Sequence, residues 1–248
     1  MTRSAAEVAT ALALAEQGRS ATEIALLTGV PRSTLRHWLP SARRPPTPPW
    51  VFCPRCNEEA ELDEAAYVYL LGLYLGDGCI SKQPKGAWRL RISQTARYLD
   101  HIEECAIAMR AILPNNVFIQ PRTGCVEIGS SSKHWPCLFP QYGPGRKHER
   151  PIVLAPWQQD LVEQYPRLLL RGLIQSDGCR DHNFAITRGR RYEYPRYSFS
   201  NASDDIRRIF TDACDRLDVH WTAPSARVVA VARRADVAFL DTFIGPTS

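Results

Sequence analysis

Leu70-Leu71-Gly72-Leu73-Tyr74-Leu75-Gly76-Asp77-Gly78 decides the fold, because it recurs as Leu170-Arg171-Gly172-Leu173-Ile174-Gln175-Ser176-Asp177-Gly178. The two aspartates lie 100 residues apart. Each copy is an apolar run with small residues four apart, Gly72/Gly76 and Gly172/Ser176, and each closes in Asp-Gly. Positions i and i+4 share one helix face, so each helix has a bare stripe along which another backbone can approach. Packed stripe to stripe, the two helices bring Asp77 and Asp177 out side by side at one end. Adjacent carboxylates repel unless a cation lies between them, and hard divalent cations favour oxygen donors. The glycine after each Asp is expected to stop its helix in the left-handed region.

The segments downstream of the two copies also match each other. Trp88-Arg89-Leu90-Arg91-Ile92-Ser93-Gln94 alternates strictly, and so does Arg196-Tyr197-Ser198-Phe199-Ser200-Asn201, which predicts strands with one apolar and one polar face. A helix is expected after each strand, over residues 99–112 and 204–217. Short strand pairs should come next at 117–120 with 125–128, and at 221–222 with 228–232. A last short helix should then run towards Gly143-Pro144 or Gly245-Pro246. Cys79 and Cys179 open the strands after the motifs and read as core residues.

These residues resemble the LAGLIDADG motif of homing endonucleases, written here LLGLYLGDG and LRGLIQSDG. The resemblance implies an α+β fold: two pseudo-symmetric αββαββα units, 63–156 and 157–248, forming a β-saddle. It also implies a monomer with internal twofold symmetry. The terminal acids, Asp77 and Asp177, would bind Mg²⁺ or Mn²⁺, with an accessory polar residue and a lysine lining a water pocket. Gln94 ends the alternating strand of the first unit and Asn201 takes the matching place in the second, so both resemble the accessory residue. Lys147, beyond the last short helix of the first unit, resembles the basic one; a surface lysine is the alternative. The chain departs from the pattern where Leu75 and Gln175 replace the penultimate acid, and no lysine stands beyond the last helix of the second unit.

The polar strand faces are basic. Between Gly78 and Leu99 stand Lys82, Lys85, Arg89, Arg91 and Arg97 with no acid among them. Residues 179–203 carry Arg180, Arg188, Arg190, Arg191 and Arg196 against Asp181 and Glu193. A solvated face usually mixes signs, whereas a one-sign surface suits the phosphates of duplex DNA. Lys82, Arg89, Arg91, Gln120, Arg122, Arg188, Arg196 and Ser198 are the candidate DNA contacts.

Residues 1–42 form a second, all-α region. A helix over 5–17 breaks at Gly18-Arg19-Ser20, and Ala21 to Leu39 then resembles a helix-turn-helix. Ala25 allows a close crossing, Gly29 permits the turn, and Val30 and Leu35 plug the core. Its second helix, from near Pro31, would offer Arg32, Ser33, Thr34, Arg36 and His37 to DNA. A plain helical hairpin is the alternative. Residues 43–62 read as a linker: the prolines of Ser41–Pro49 exclude helix, and Arg43 and Arg44 just before them could touch backbone phosphates. Cys53-Pro54-Arg55-Cys56 comes after the prolines. Zinc there is disfavoured, since a structural site needs four ligands and neither a second CxxC nor a nearby His pair is visible.

The whole chain has 248 residues, a formal net charge of +5 and 44% hydrophobic residues, which fits a globular protein with a polyanionic partner. Eight cysteines are too sparse for a disulfide scaffold. Nothing reads as a signal peptide or a long apolar span, so a cytoplasmic protein without membrane contact is expected. The functional expectation is a metal-dependent, site-specific endonuclease acting on double-stranded DNA. The alternatives are a non-cleaving helix-turn-helix regulator on the same scaffold and, behind it, an RNA maturase.

Overall fold

The computed structural model describes residues 4–39 and 53–245; of Arg36, His37 and Thr187 only the backbone is described. The proline-rich stretch with Arg43 and Arg44 lies outside the described residues, as does Pro246. The chain divides into two compact units, Met1–Pro49 and Trp50–Ser248.

Among its described residues the first unit holds three helices: α1 (Ala5–Glu16), α2 (Ala21–Thr28) and α3 (Arg32–Trp38). Ser4 with Glu7, and Ser20 with Glu23, form capping boxes that start α1 and α2. Gly29 stops α2 with φ +66°, a left-handed cap that suits glycine. Ala11, Ile24, Val30, Leu35 and Leu39 form the small core, with Ala25 packed against it. Arg32 and Ser33 at the start of α3 are exposed, and Thr34 is half-buried.

The second unit runs α4 (Glu64–Asp77), β1 (Gly78–Lys82), β2 (Trp88–Thr95), α5 (Leu99–Ile112), β3 (Val117–Arg122), β4 (Cys125–Ser132) and α6 (Trp135–Leu138). It continues through α7 (Pro156–Gln164), α8 (Pro166–Asp177), β5 (Gly178–Thr187), β6 (Arg190–Ser200), α9 (Asp204–Arg216), β7 (Thr222–Ser225), β8 (Val228–Val231) and α10 (Arg234–Asp241). The strands form two antiparallel sheets with the same order, β1-β2-β4-β3 and β5-β6-β8-β7. The order αββαββα therefore occurs twice. The helix α7 that precedes α8 was not expected. The hairpin β5–β6 pairs ten residues to a side, turning at Arg188 and Gly189, both with positive φ.

The glycine stripes meet. A Cβ on Gly72 would lie 2.6 Å from the Leu169 carbonyl oxygen and 2.9 Å from the Gly172 Cα. One on Gly172 would land on the Tyr69 carbonyl, and one on Gly76 would lie 2.5 Å from the Ser176 Cβ. At Gly72, Gly76 and Gly172 no side chain fits along this seam between α4 and α8; Ser176 supplies a small one opposite Gly76. Leu70, Leu71, Leu73, Leu170, Leu173 and Ile174 turn away from it into one continuous core.

Two expectations are corrected here. Gly78 (φ −88°) and Gly178 (φ −112°) are extended residues that open β1 and β5, not left-handed caps. Glycine is needed for room: a Cβ would lie 2.5 Å from the Tyr74 Cα at the first and 2.8 Å from the Ile174 Cα at the second. Cys79 is exposed and Cys179 half-buried, so neither is a core residue. Side chains alternate along a strand; with Gly78 on the core side, the next residue points out.

Candidate active site

Helix α4 ends in Asp77 and α8 in Asp177, and the closeness of the seam sets the two carboxyls together. The site of a Cβ on Gly76 lies 3.2 Å from the Asp177 carboxyl carbon. Asp77 keeps exposed surface, while Asp177 is half-buried. The atoms packed around Asp77 strip part of its hydration, and Asp177 adds like-charge repulsion; together they push its carboxyl up to about 6. Burial also raises Asp177 above the usual carboxylate range, opposed by an Asn201 hydrogen bond and by Lys147.

Asn201 Nδ2 donates to Asp177 Oδ2 at 2.5 Å. Gln94 occupies the pseudo-symmetric place: Gly78 faces Ile92 and Gly178 faces Phe199, and Gln94 and Asn201 each lie two residues further along. Gln94 is buried, its side-chain nitrogen has no hydrogen-bond partner among the described residues, and it lines a pocket of about 170 Å³ with Asp77, Tyr98, His101, Gln175 and Ser176. A buried donor without a partner is costly, which marks this pocket as a place for an acceptor.

Lys147 is brought in by the 3₁₀ turn Lys147–Glu149. Its Nζ donates to the carbonyls of Tyr74 (2.5 Å), Leu75 (2.8 Å) and Gly76 at the end of α4. It thus caps the negative end of that helix, where a cation is favoured. Burial lowers its ammonium to about 8, while Asp177 and then Asp77 act to raise it. It is a fixed cation beside both acids rather than a surface lysine.

Sequence patterns gave no hint of His101 at this site, and marked Gln175 only as a departure from the motif. His101, in the first turn of α5, is buried with Nε2 unpartnered among the described residues, and burial lowers its pKa. Nothing marks it in the sequence, because only the fold turns α5 towards the acids. Gln175, at the position of a missing acid, ties helix to helix: Tyr69 Oη donates to its Oε1 at 2.7 Å and its Nε2 donates to the Ile244 carbonyl at 2.7 Å.

The candidate contacts divide by face. Arg89, Arg91 and Ser93 share the open face of β2, with Leu90, Ile92 and Gln94 on the core side. Gln120 faces Glu127 and Arg122 faces Cys125 across β3–β4. Arg91 and Arg122 both approach Glu127 at 3.6 Å, so that basic face has an acid at its centre. Arg89 lies 5.4 Å from the Phe118 ring centroid. Lys82 is set apart: it pairs with Trp88 and so falls on the opposite face, at the strand end. Arg196 is held by both Asp181 oxygens, at 2.8 and 3.1 Å, and Ser198 Oγ lies 3.1 Å from Cys179 Sγ. Arg188 is exposed at the hairpin turn. Arg180 points to the helix side, where Asp241 grips it at 2.7 and 3.0 Å.

Fold and site together define a class: a pseudo-symmetric α+β protein with one acid from each half at a shared helix seam. No protein-family model matches the chain, and no curated protein does. Solved structures similar to it include LAGLIDADG homing endonucleases. One is I-DmoI in complex with DNA and Mn, at 17% identity and TM-score 0.49 over 75% of this chain and 99% of that one. Another is the meganuclease I-AabMI bound to uncleaved DNA, at 13% identity and TM-score 0.47 over 71% and 82%. The N-terminal LAGLIDADG domain of DUF199/WhiA is also similar, at 12% identity and TM-score 0.47 over 75% and 83%. Among the described residues no helix is long and apolar enough to cross a membrane.

Proposed function

We propose that this protein binds double-stranded DNA at specific sites and hydrolyses its phosphodiester bonds with a divalent metal, Mg²⁺ or Mn²⁺, at Asp77 and Asp177. The observation that carries this reading is the packing of Gly72, Gly76 and Gly172, which leaves the two acids side by side with few partners of their own. Among the described residues Asp77 accepts no hydrogen bond and Asp177 accepts only that of Asn201. Lys147 spends its donors on helix carbonyls. The pair thus keeps free oxygen lone pairs, a donor set that suits a hard divalent cation. Such an ion, held by Asp77 and Asp177, would stabilise charge on the phosphate and lower the pKa of a water.

The chain's own groups do the rest. Asn201 orients the Asp177 carboxylate. Lys147 favours the ionised form of both acids. Gln94 offers an unpaired amide beside Asp77, suited to positioning a water or a phosphate oxygen. The open sheet faces bind the duplex: Arg89, Arg91, Gln120 and Arg122 on one sheet, Arg196 and Ser198 on the other. Arg188 reaches out at the hairpin tip, whereas Lys82, on the opposite face of its sheet, takes no part. Arg32, Ser33 and Thr34 of α3 supply a second contact as the reading helix of a helix-turn-helix.

The test is cleavage selection from a randomised duplex library with Mg²⁺, run beside binding selection with Ca²⁺. Enrichment of one cut sequence is the expected result. A bound consensus that is never cut would make the protein a regulator on this scaffold, and preference for folded RNA would make it a maturase.

A further inference from the structure

We propose that Cys53, Cys56, His134 and Cys137 form a structural zinc site. The site shares no residue with the acid pair and stands whether or not the protein cuts DNA. The two halves of the ligand set are 78 residues apart in sequence, as the contact between Cys56 and His134 shows, so no local motif announces them.

Each half is built to present its ligands. In the first, the backbone N–H groups of Cys56 and Asn57 both donate to the Cys53 carbonyl at 2.9 Å, which curls the CxxC so that both sulfurs lie close to the second half. In the second, His134 leads into α6 after β4, with its N–H on Ser132 Oγ at 3.1 Å. Cys137 stands three residues on, one helical turn away and so on the same side. This turn is pinned to the core: Trp135 Nε1 donates to the Ser130 carbonyl at 3.1 Å, and Tyr67 Oη to the Leu138 carbonyl at 2.6 Å.

Three of the six ligand-to-ligand distances match the edges of a coordination tetrahedron. With Zn–S of about 2.3 Å and Zn–N of about 2.0 Å, tetrahedral edges measure about 3.8 Å between sulfurs and about 3.5 Å between sulfur and nitrogen. Here Cys56 Sγ lies 3.7 Å from Cys137 Sγ and 3.4 Å from His134 Nδ1, and Cys137 Sγ lies 3.7 Å from the same nitrogen. All four ligand atoms, Cys53 Sγ included, fall within 4.8 Å of one another. Soft thiolates with an imidazole select zinc over the hard ions suited to Asp77 and Asp177. Four protein ligands leave no open position, which makes the site structural rather than catalytic.

The surroundings give the ion a purpose. Residues 53–62 contain no helix or strand, and of them only Cys53 is fully buried. So little apolar burial holds a segment weakly. Besides the cysteines, Arg55 stacks over Trp157 at 4.6 Å and Leu62 packs on the core. A zinc ion would staple the start of the second unit to its first sheet.

The experiment is metal analysis of the full chain, purified without a histidine tag from zinc-supplemented cells. One zinc per chain is expected, lost in Cys56→Ser, Cys137→Ser and His134→Ala and kept in the control Cys125→Ser. To guard against a variant that folds poorly, the unmutated chain is also loaded with Co²⁺. Intense visible bands with sulfur-to-cobalt charge transfer support tetrahedral thiolate ligation; the weak spectrum of an octahedral ion overturns it. A cooperatively folded chain with only trace zinc would overturn the proposal, as would a Cys56–Cys137 disulfide in non-reducing peptide maps.

Discussion

At the scale of single residues the acids make the sharpest predictions. Asp77→Asn and Asp177→Asn should each abolish metal-dependent cutting while changing duplex affinity by less than about tenfold, or ~1.4 kcal/mol. Undiminished nicking by either variant would remove the site. Asn201→Ala frees the Asp177 carboxylate and should cost about 10–100-fold in activity or metal affinity, as loss of a ligand's supporting partner does. The raised Asp77 carboxyl adds a pH dependence. Its folded value lies above the unfolded one, so its contribution to stability is present below about 4 and lost as pH rises through about 6. Metal binding needs the ionised form, so divalent-ion affinity should climb over the same window, measured by calorimetry with Ca²⁺. Lys147 favours both carboxylates. Lys147→Met should therefore move that climb to higher pH; an unmoved profile would reduce Lys147 to a helix cap. The meeting of Asp77 and Asp177 at one helix end was legible in the repeated motif, while Gln94, Asn201 and Lys147 were pointed to by the family resemblance, and the fold brings all five together. His101 and the zinc ligand His134 were not legible, since each is made relevant by a residue far away in sequence.

At the scale of elements the seam between α4 and α8 governs the site. Gly172→Ala would drive a methyl group into the Tyr69 backbone, which cannot retreat as a flexible side chain can. Overpacking of this kind costs about 1–3 kcal/mol, so a melting curve should show clear destabilisation and cutting should fall as the acids separate. An unchanged melting temperature would mean that the helices do not meet there. Helix α5 spans the residues that periodicity indicates, and α9 ends one residue earlier than expected. The long β5–β6 hairpin was less visible, because its outer half is exposed on both sides and Phe184, Ile186 and Tyr192 break any simple alternation. Face assignment needed register: Lys82 and Arg180 look like members of a basic surface in sequence, yet pairing with Trp88 and Tyr197 turns them to the other side.

At the scale of the whole molecule, affinity for duplex DNA should fall steeply with salt. Six phosphate contacts would give a slope of about −5 in log K against log salt, and a flat plot would exclude a phosphate-dominated interface. The chain divides after Pro49, so a protein lacking residues 1–42 should keep a cooperative melt and lose only part of its DNA affinity. Loss of cooperativity would show that the two units fold as one. The seam carries one asymmetry with a further consequence. Gly76 is bare where it meets Ser176, whose hydroxyl folds back onto the Gly172 and Leu173 carbonyls at 2.9 Å. Two copies of the first half would juxtapose hydrogen with hydrogen and could close. Two copies of the second would force hydroxymethyl groups into the same space. Anyone cutting this gene in two to engineer a symmetric dimer should therefore begin from residues 63–156, or restore glycine at 176 before using the other half.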